Sequence, residues 1–339
     1  MSTPTAGFGH LTPERMLDAL EHAGLRPDGR LLQLNSYENR VLQAYLEDGS
    51  AVVAKFYRGG RWSDEQILEE HHFARELTDA EVPVVAPLML EVDGLATTLA
   101  HVQGDRFAVS PRQGGRAPEL EDPDVLRWIG RFLARLHDVG QQRPFEHRLA
   151  WNSAQPAREA RDWLRQHDTL APDIAGPWHD AAQRCIDAIQ DAFDRQPGLH
   201  CLRLHGDCHP GNLLWTPDHG PHFVDLDDAM QGPAVQDLWM MLSGEPQAAR
   251  QQLDALLDGY ESVREFDWRE LRLIEALRTQ RMIHHSAWLA RRWDDPAFPL
   301  AFPWFGTPNY WGDQVVKLRD QLDAMQAEAD KASGLPAWD

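Results

Sequence analysis

The hydrophobic period of this chain changes once, and that change limits what it can fold into. Up to about residue 110 the apolar pattern is short and strand-like. Val41, Gln43 and Tyr45 alternate with Leu42 and Ala44, Asp48-Gly49 is a hairpin signal, and AVVAKFY at 51–57 is the returning strand. Residues 82–92 (broken by Pro83 and Pro87), 95–101 and 106–110 read as further short strands. Two helices interrupt this part. Thr12-Pro13-Glu14 opens the first and Gly24 ends it. The second covers 63–78, with Ile67, Leu68, Phe73 and Leu77 apolar. The segment RQGGRAP at 112–118 is rich in breakers and is the expected linker.

Beyond it helical spacing takes over. Val125, Leu126, Ile129, Phe132, Leu133 and Leu136 mark one face; Ala182, Ile186, Ile189 and Phe193 a second; Leu253, Leu256, Leu257 and Tyr260 a third. Between the last two, residues 201–224 break the helical run with strand-like pieces at 202–204, 213–215 and 222–224. The polar tail from Gln326 is expected to fray. The pattern predicts an α+β chain, with a small sheet-rich part over 1–110 and a larger, mainly helical part over 111–339.

Composition excludes some partners. Acidic residues outnumber basic ones 53 to 33, a net charge of −20, which argues against nucleic acid and against an anionic membrane surface. No apolar run approaches the ~20 residues of a membrane span. The first residues carry neither a basic nor an apolar signal region. Three cysteines are too few for a disulfide framework, so a reducing, cytoplasmic setting is expected, with a monomer as the default state. Thirteen tryptophans, eight of them from Trp215 onward, are expected mainly to pack the helical part.

The most specific motif is HGDCHPGN at 205–212, followed after a short apolar strand by the acids of VDLDDA at 224–229. Asp207 and Asn212 lie on a loop broken by Gly and Pro, and Asp225 lies on a second. Hard oxygen ligands on adjacent loops suit Mg²⁺, which completes its shell with phosphate oxygens and water. A separate carboxylate, Asp207, is left to orient a hydroxyl nucleophile. Each part alone reads as an ordinary turn; the joint pattern is the set needed for phosphoryl transfer. A zinc reading of His205, Cys208 and His209 lacks a fourth ligand at a recognised spacing.

Lysine use supplies a second signal. The chain has only Lys55, Lys317 and Lys331, leaving 33 − 3 = 30 arginines. Lys55 sits on a strand with apolar neighbours, where it either snorkels or serves as a cation for nucleotide phosphates. Glu69 and Glu70 on the following helix are its candidate partners.

A strand Lys, a helix Glu, an HGDxxxxN loop and a strand ending in Asp resemble, in that order, the protein-kinase-like fold. The HGD form resembles its aminoglycoside phosphotransferase and choline kinase branch. The blocks LNSYENRV (34–41), VAKFYR (53–58), QILEEH (66–71), LHGDCH (204–209), VDLDDA (224–229), GPAVQDLW (232–239) and WLARRWDDPAFPLAFPW (288–304) are similar to bacterial serine/threonine protein kinases of that branch, which serve stress responses. The resemblance implies a bilobal fold, with a small antiparallel-sheet N-terminal ATP-binding lobe and a larger, mainly helical C-terminal catalytic and substrate lobe.

The resemblance also implies an ATP- and Mg²⁺-dependent kinase acting on protein Ser/Thr hydroxyls. Asp207 would be the base, and Asn212 and Asp225 would hold Mg²⁺. Lys55 would contact the α/β-phosphates, paired with Glu70. Residues 35–39 would cover the phosphates, with Ser36 near ATP. Ser110 to Arg112 would face adenine, and Asp237 would brace the catalytic loop. The chain departs from ordinary protein kinases in lacking GxGxxG, Walker A and APE motifs. An aminoglycoside, choline or homoserine kinase fits the same site chemistry. A nucleotide-binding pseudokinase is disfavoured by the intact Lys55, Asp207, Asn212 and Asp225.

Overall fold

A computed structural model describes residues 7–334. In chain order its first elements are α1 (Pro13–His22), β1 (Pro27–Gln33), β2 (Arg40–Leu46), β3 (Ala51–Phe56) and α2 (Asp64–Asp79). Next come β4 (Leu90–Val92), β5 (Leu95–Thr97), β6 (Ala100–Val102), β7 (Asp105–Pro111) and α3 (Pro123–Gly140). There follow α4 (Gln155–Gln166), α5 (Pro172–Asp194), β8 (Leu202–Leu204), β9 (Leu213–Thr216), β10 (Gly220–Phe223) and β11 (Met230–Gly232). The last are α6 (Val235–Trp239), α7 (Pro246–Glu261), α8 (Ile274–Arg291), α9 (Ala297–Ala301) and α10 (Pro308–Gly334). The N-terminal part is antiparallel sheet and the C-terminal part is helical, as the change of period predicts.

These elements form two compact units. The first comprises Met1–Leu149, Arg203–Met230 and Met240–Phe266; the second comprises Ala150–Leu202, Gln231–Trp239 and Asp267–Asp339. In the first unit the main sheet runs β1-β2-β3-β7-β6, all neighbours antiparallel. Val52, Ala54 and Phe56 point one way along β3 and join a core with Met16, Ala19 and Leu20 of α1. Period two therefore puts Lys55 on the opposite face, between Val41 and Ala108 in register. On that face Ala108 packs with Ile67 of α2, Tyr57 and Leu99. A capping box starts α2: Ser63 accepts from the Gln66 N–H, and the Gln66 side chain returns to the Ser63 N–H.

The same unit carries the segment 205–230. Its β9–β10 hairpin pairs Leu213 with Phe223. Phe223 also exchanges backbone hydrogen bonds with the 83–85 stretch, at 2.8 Å from its N–H to Pro83 O and 3.1 Å from the Val85 N–H to its carbonyl. Residues 112–118 are irregular, and Arg116 is fixed by paired backbone bonds to Trp215. Helices α3 and α7 pack closely because Gly259 has no side chain; a Cβ there would sit 2.0 Å from Arg127 O.

The second unit is built from α4, α5, α8 and α10 around aromatic side chains. Trp178 of α5 and Trp311 of α10 are fully buried and meet edge to face at 5.7 Å. Where fraying is expected from Gln326, α10 continues to Gly334 among the described residues, and the rest of that tail lies outside them. Val315, Leu318, Leu322 and Met325 are buried at helical spacing and anchor the helix that the polar residues extend. No helix among the described residues is long and apolar enough to cross a membrane.

Candidate functional site

The loop after β8 is shaped by its own side chains. His205 Nε2 lies 3.0 Å from the Val224 carbonyl, which can only accept, so that nitrogen carries the proton. His205 Nδ1 then accepts the Asp207 N–H at 3.4 Å. Gly206 has φ +82°, and a Cβ there would lie 2.2 Å from the Asp228 carbonyl oxygen, so only glycine fits this crossing. The His209 ring accepts the Gly211 N–H at 3.0 Å and starts the short turn Pro210–Asn212. Asn212 Nδ2 donates back to the Asp207 carbonyl at 3.0 Å and to its carboxylate at 3.3 Å. Asp207 and Asn212 are thus held as one piece.

Asp225 follows directly on the strand tied to that loop. The Val224 N–H donates to the Asn212 carbonyl at 3.0 Å. Asp225 itself is left-handed, at φ 60° and ψ 64°, an unfavourable state for a residue with a Cβ. Its carboxylate is half exposed and accepts Lys55 Nζ at 2.7 Å, with Asp227 3.9 Å from the same ammonium. Burial alone would lower the Lys55 pKa, but Asp225 and then Asp227 hold it well above its ordinary value.

The expected Lys55–Glu70 ion pair is not formed. Lys55 turns to Asp225 and Asp227, which lie closer to its ammonium, and Glu70 attracts it only from longer range. Glu70 is buried beside His71 at 3.6 Å, and that burial pushes its carboxyl up to about 7. Glu69 faces elsewhere and accepts the backbone N–H groups of Glu146, His147 and Arg148.

The structure brings Lys55, Asp207, Asn212 and Asp225 together. Ser36 accepts the Asn39 N–H at 3.4 Å and shapes the 36–39 turn. Ser110 is on β7 opposite Val53, and Arg112 donates to Gln43 at 3.3 Å. Ser36, Ser110 and Arg112 share no hydrogen bond with the acidic set among the described residues. Asp237 is fully buried in α6 of the second unit.

Two participants escape a reading of the sequence alone, Arg61 and Arg148, and Asn39, expected only as part of the 35–39 loop, joins them on the acidic turn. Arg61 grips Asp227 and Asp228, Arg148 donates to the Asp227 and Ala229 carbonyls, and Asn39 Nδ2 reaches Asp227 at 3.1 Å. The VDLDDA acids are a visible signal for Asp227. Thirty arginines used throughout the chain hide the other two.

The oxygen donors Asp225 and Asn212 suit a hard divalent ion that keeps most of its shell from nucleotide oxygens and water. No group of three or more His, Cys, Asp or Glu side chains that could hold a metal occurs among the described residues.

The chain matches the family model described as "Phosphotransferase enzyme family" over residues 30–274. It is 44% identical to "Serine/threonine protein kinase RdoA" of Salmonella typhimurium over 93% of each chain. It is 42% identical to "Stress response kinase A" of Escherichia coli strain K12, over 96% of this chain and 97% of that one. Among solved structures it is similar to the amicoumacin kinase hAmiN in complex with AMP-PNP, Ca²⁺ and Ami. The TM-score is 0.70 at 17% identity, covering 92% of this chain and 93% of that one.

Proposed function

The chain belongs to the phosphotransferase enzyme family, and we propose that it is an ATP- and Mg²⁺-dependent serine/threonine protein kinase acting in a cytoplasmic stress response. The observation that carries this reading is that the Lys55–Asp225 pair and the Asp207–Asn212 pair lie in one unit, tied by the backbone bond from Val224 to Asn212.

In this reading residues 1–110 bind the nucleotide and 111–339 carry the catalytic loop and the protein substrate. The loop 35–39, with Ser36, covers the phosphates through polar side chains and backbone N–H groups. Ser110 to Arg112 face adenine. Lys55 exchanges its bond to Asp225 for the α/β-phosphates. Asn212 and Asp225 hold Mg²⁺, which when bound neutralises charge on the phosphoryl oxygens.

Asp207 accepts the hydrogen bond of the incoming Ser or Thr hydroxyl and aligns its oxygen for in-line attack. As the new O–P bond forms, the hydroxyl proton passes to Asp207 and the bond to the ADP oxygen breaks. Positioning and charge neutralisation account for most of the rate gain, because the chemistry needs little covalent help.

A small-molecule acceptor is the second reading, favoured by the structural similarity to an amicoumacin kinase and by a net charge of −20 that suits a polycation. The test is phosphotransfer from γ-labelled ATP with Mg²⁺ to a generic basic protein, to the enzyme itself, and to a panel of aminoglycosides, choline and homoserine. Asp207→Ala is the control, with an expected loss on the order of 10³-fold or more. Label in protein that disappears in the variant supports the first reading. Label only in a small molecule moves the function to the second. No transfer anywhere with nucleotide still bound overturns both.

A further inference from the structure

We propose that Arg61 is a positioning residue for phosphoryl transfer: by gripping Asp227 and Asp228 together, it fixes the left-handed turn that presents the Asp225 carboxylate to the metal. This inference rests on the kinase reading above.

The turn packs three carboxylates, Asp225, Asp227 and Asp228, into four residues. Like charges so close repel, and the left-handed backbone at Asp225 is strained for a residue with a Cβ. Such a turn persists only where its surroundings over-determine it. The braces here fall on residues 226–229. Arg61 bonds Asp227 with one guanidinium nitrogen and Asp228 with another. Asn39 adds a bond to Asp227, and Arg148 holds the Asp227 and Ala229 carbonyls while lying 4.2 Å over the Trp62 ring. Leu226 is buried and its carbonyl accepts the Ala229 N–H at 2.8 Å.

The Asp225 carboxylate has none of these partners. It is 49% exposed and bonded to Lys55, whereas the Arg61 side chain is 12% exposed. Fixed flanks around an accessible carboxylate are what orienting a metal ligand requires. The arrangement also keeps Asp227 bonded to Arg61 and Asn39, so it competes less for Lys55. Lysine could not replace Arg61 fully. A planar guanidinium spans two acids with separate N–H groups, whereas an ammonium is a point charge.

The test measures Mn²⁺ binding by electron paramagnetic resonance at saturating AMP-PNP, AMP-PNP binding in EDTA by calorimetry, and the melting temperature. It compares wild type, Arg61→Gln, Arg61→Lys and Asp225→Asn. Arg61→Gln is expected to weaken Mn²⁺ binding about tenfold or more. It should leave metal-free nucleotide binding within about twofold, with Arg61→Lys recovering part of the loss. In turnover the Gln variant should lower kcat more than it raises the KM for ATP.

Wild-type Mn²⁺ affinity in folded Arg61→Gln overturns the proposal, as does an equal loss with and without metal, which marks a purely structural role. If Arg61→Gln does not fold, Arg61→Lys decides: weakened Mn²⁺ binding supports the clamp, and unchanged binding overturns it. Failure of the kinase reading looks different. In that case wild type binds no Mn²⁺ with AMP-PNP, and Asp225→Asn changes nothing.

Discussion

Two acidic loops meet at the candidate site, and they are held by opposite means. The 205–212 loop is stabilised largely from within: His205 accepts from Asp207, His209 from Gly211, and Asn212 donates to Asp207. The turn at 225–229 is stabilised from far along the chain, by Arg61, Asn39 and Arg148. The first is a local device, so its motif announces it. The second depends on side chains about 80 to 190 residues away in sequence, which no local spacing reveals.

The comparison can be broken most severely where the loops cross. Gly206→Ala places a Cβ against the Asp228 carbonyl and is expected to destabilise the protein by about 4 kcal/mol, read as a fall in the urea midpoint. A variant as stable as wild type would mean the crossing is looser than the geometry requires. His205→Ala attacks the 205–212 loop and its tie to the strand that precedes Asp225. It removes the donor to the half-buried Val224 carbonyl and the acceptor of the Asp207 N–H, for an expected loss of about 3 kcal/mol by the same measurement. Turnover should fall as well, because Asp207 loses its orientation.

The smallest effect sharpens the contrast through pH. The Glu70 carboxyl stands at about 7 because burial opposes its charge. The folded state therefore binds that proton more tightly than the unfolded chain does. The contribution is fully present below about pH 4.5 and is lost as pH rises through 7. Glu70→Gln has no proton to lose. Between pH 5 and pH 8 it should gain about 2 kcal/mol relative to wild type in paired urea titrations. A pH-independent difference would mean that Glu70 is ionised at neutral pH and paired after all.

Much of the secondary structure was legible. Ser63 and Gln66 mark the start of α2 by a local capping box, and the alternation of 51–57 places Lys55 on the face opposite the α1 core. The edge strand β1 was not legible, because Pro27 and Asp28-Gly29 read as breakers and most of its residues are exposed. An edge strand tolerates both, since one side of its ladder has no partner. Gln326 to Gly334 looked polar enough to fray, but this stretch stays in α10, which needs only one anchored face, and Leu318, Leu322 and Met325 provide it earlier in the helix.

By itself the sequence determined the period change, the HGDxxxxN loop, the acidic turn and the single lysine of the first sheet, because each is written in residues close together along the chain. Only the tertiary structure decided which carboxylate Lys55 meets and what steadies Asp225. Glu70 is near Lys55 in sequence, yet Asp225 takes the bond, 170 residues away. Electrostatic partners are chosen by distance and burial after folding. Arg61 is one arginine among thirty until the fold sets it between two aspartates.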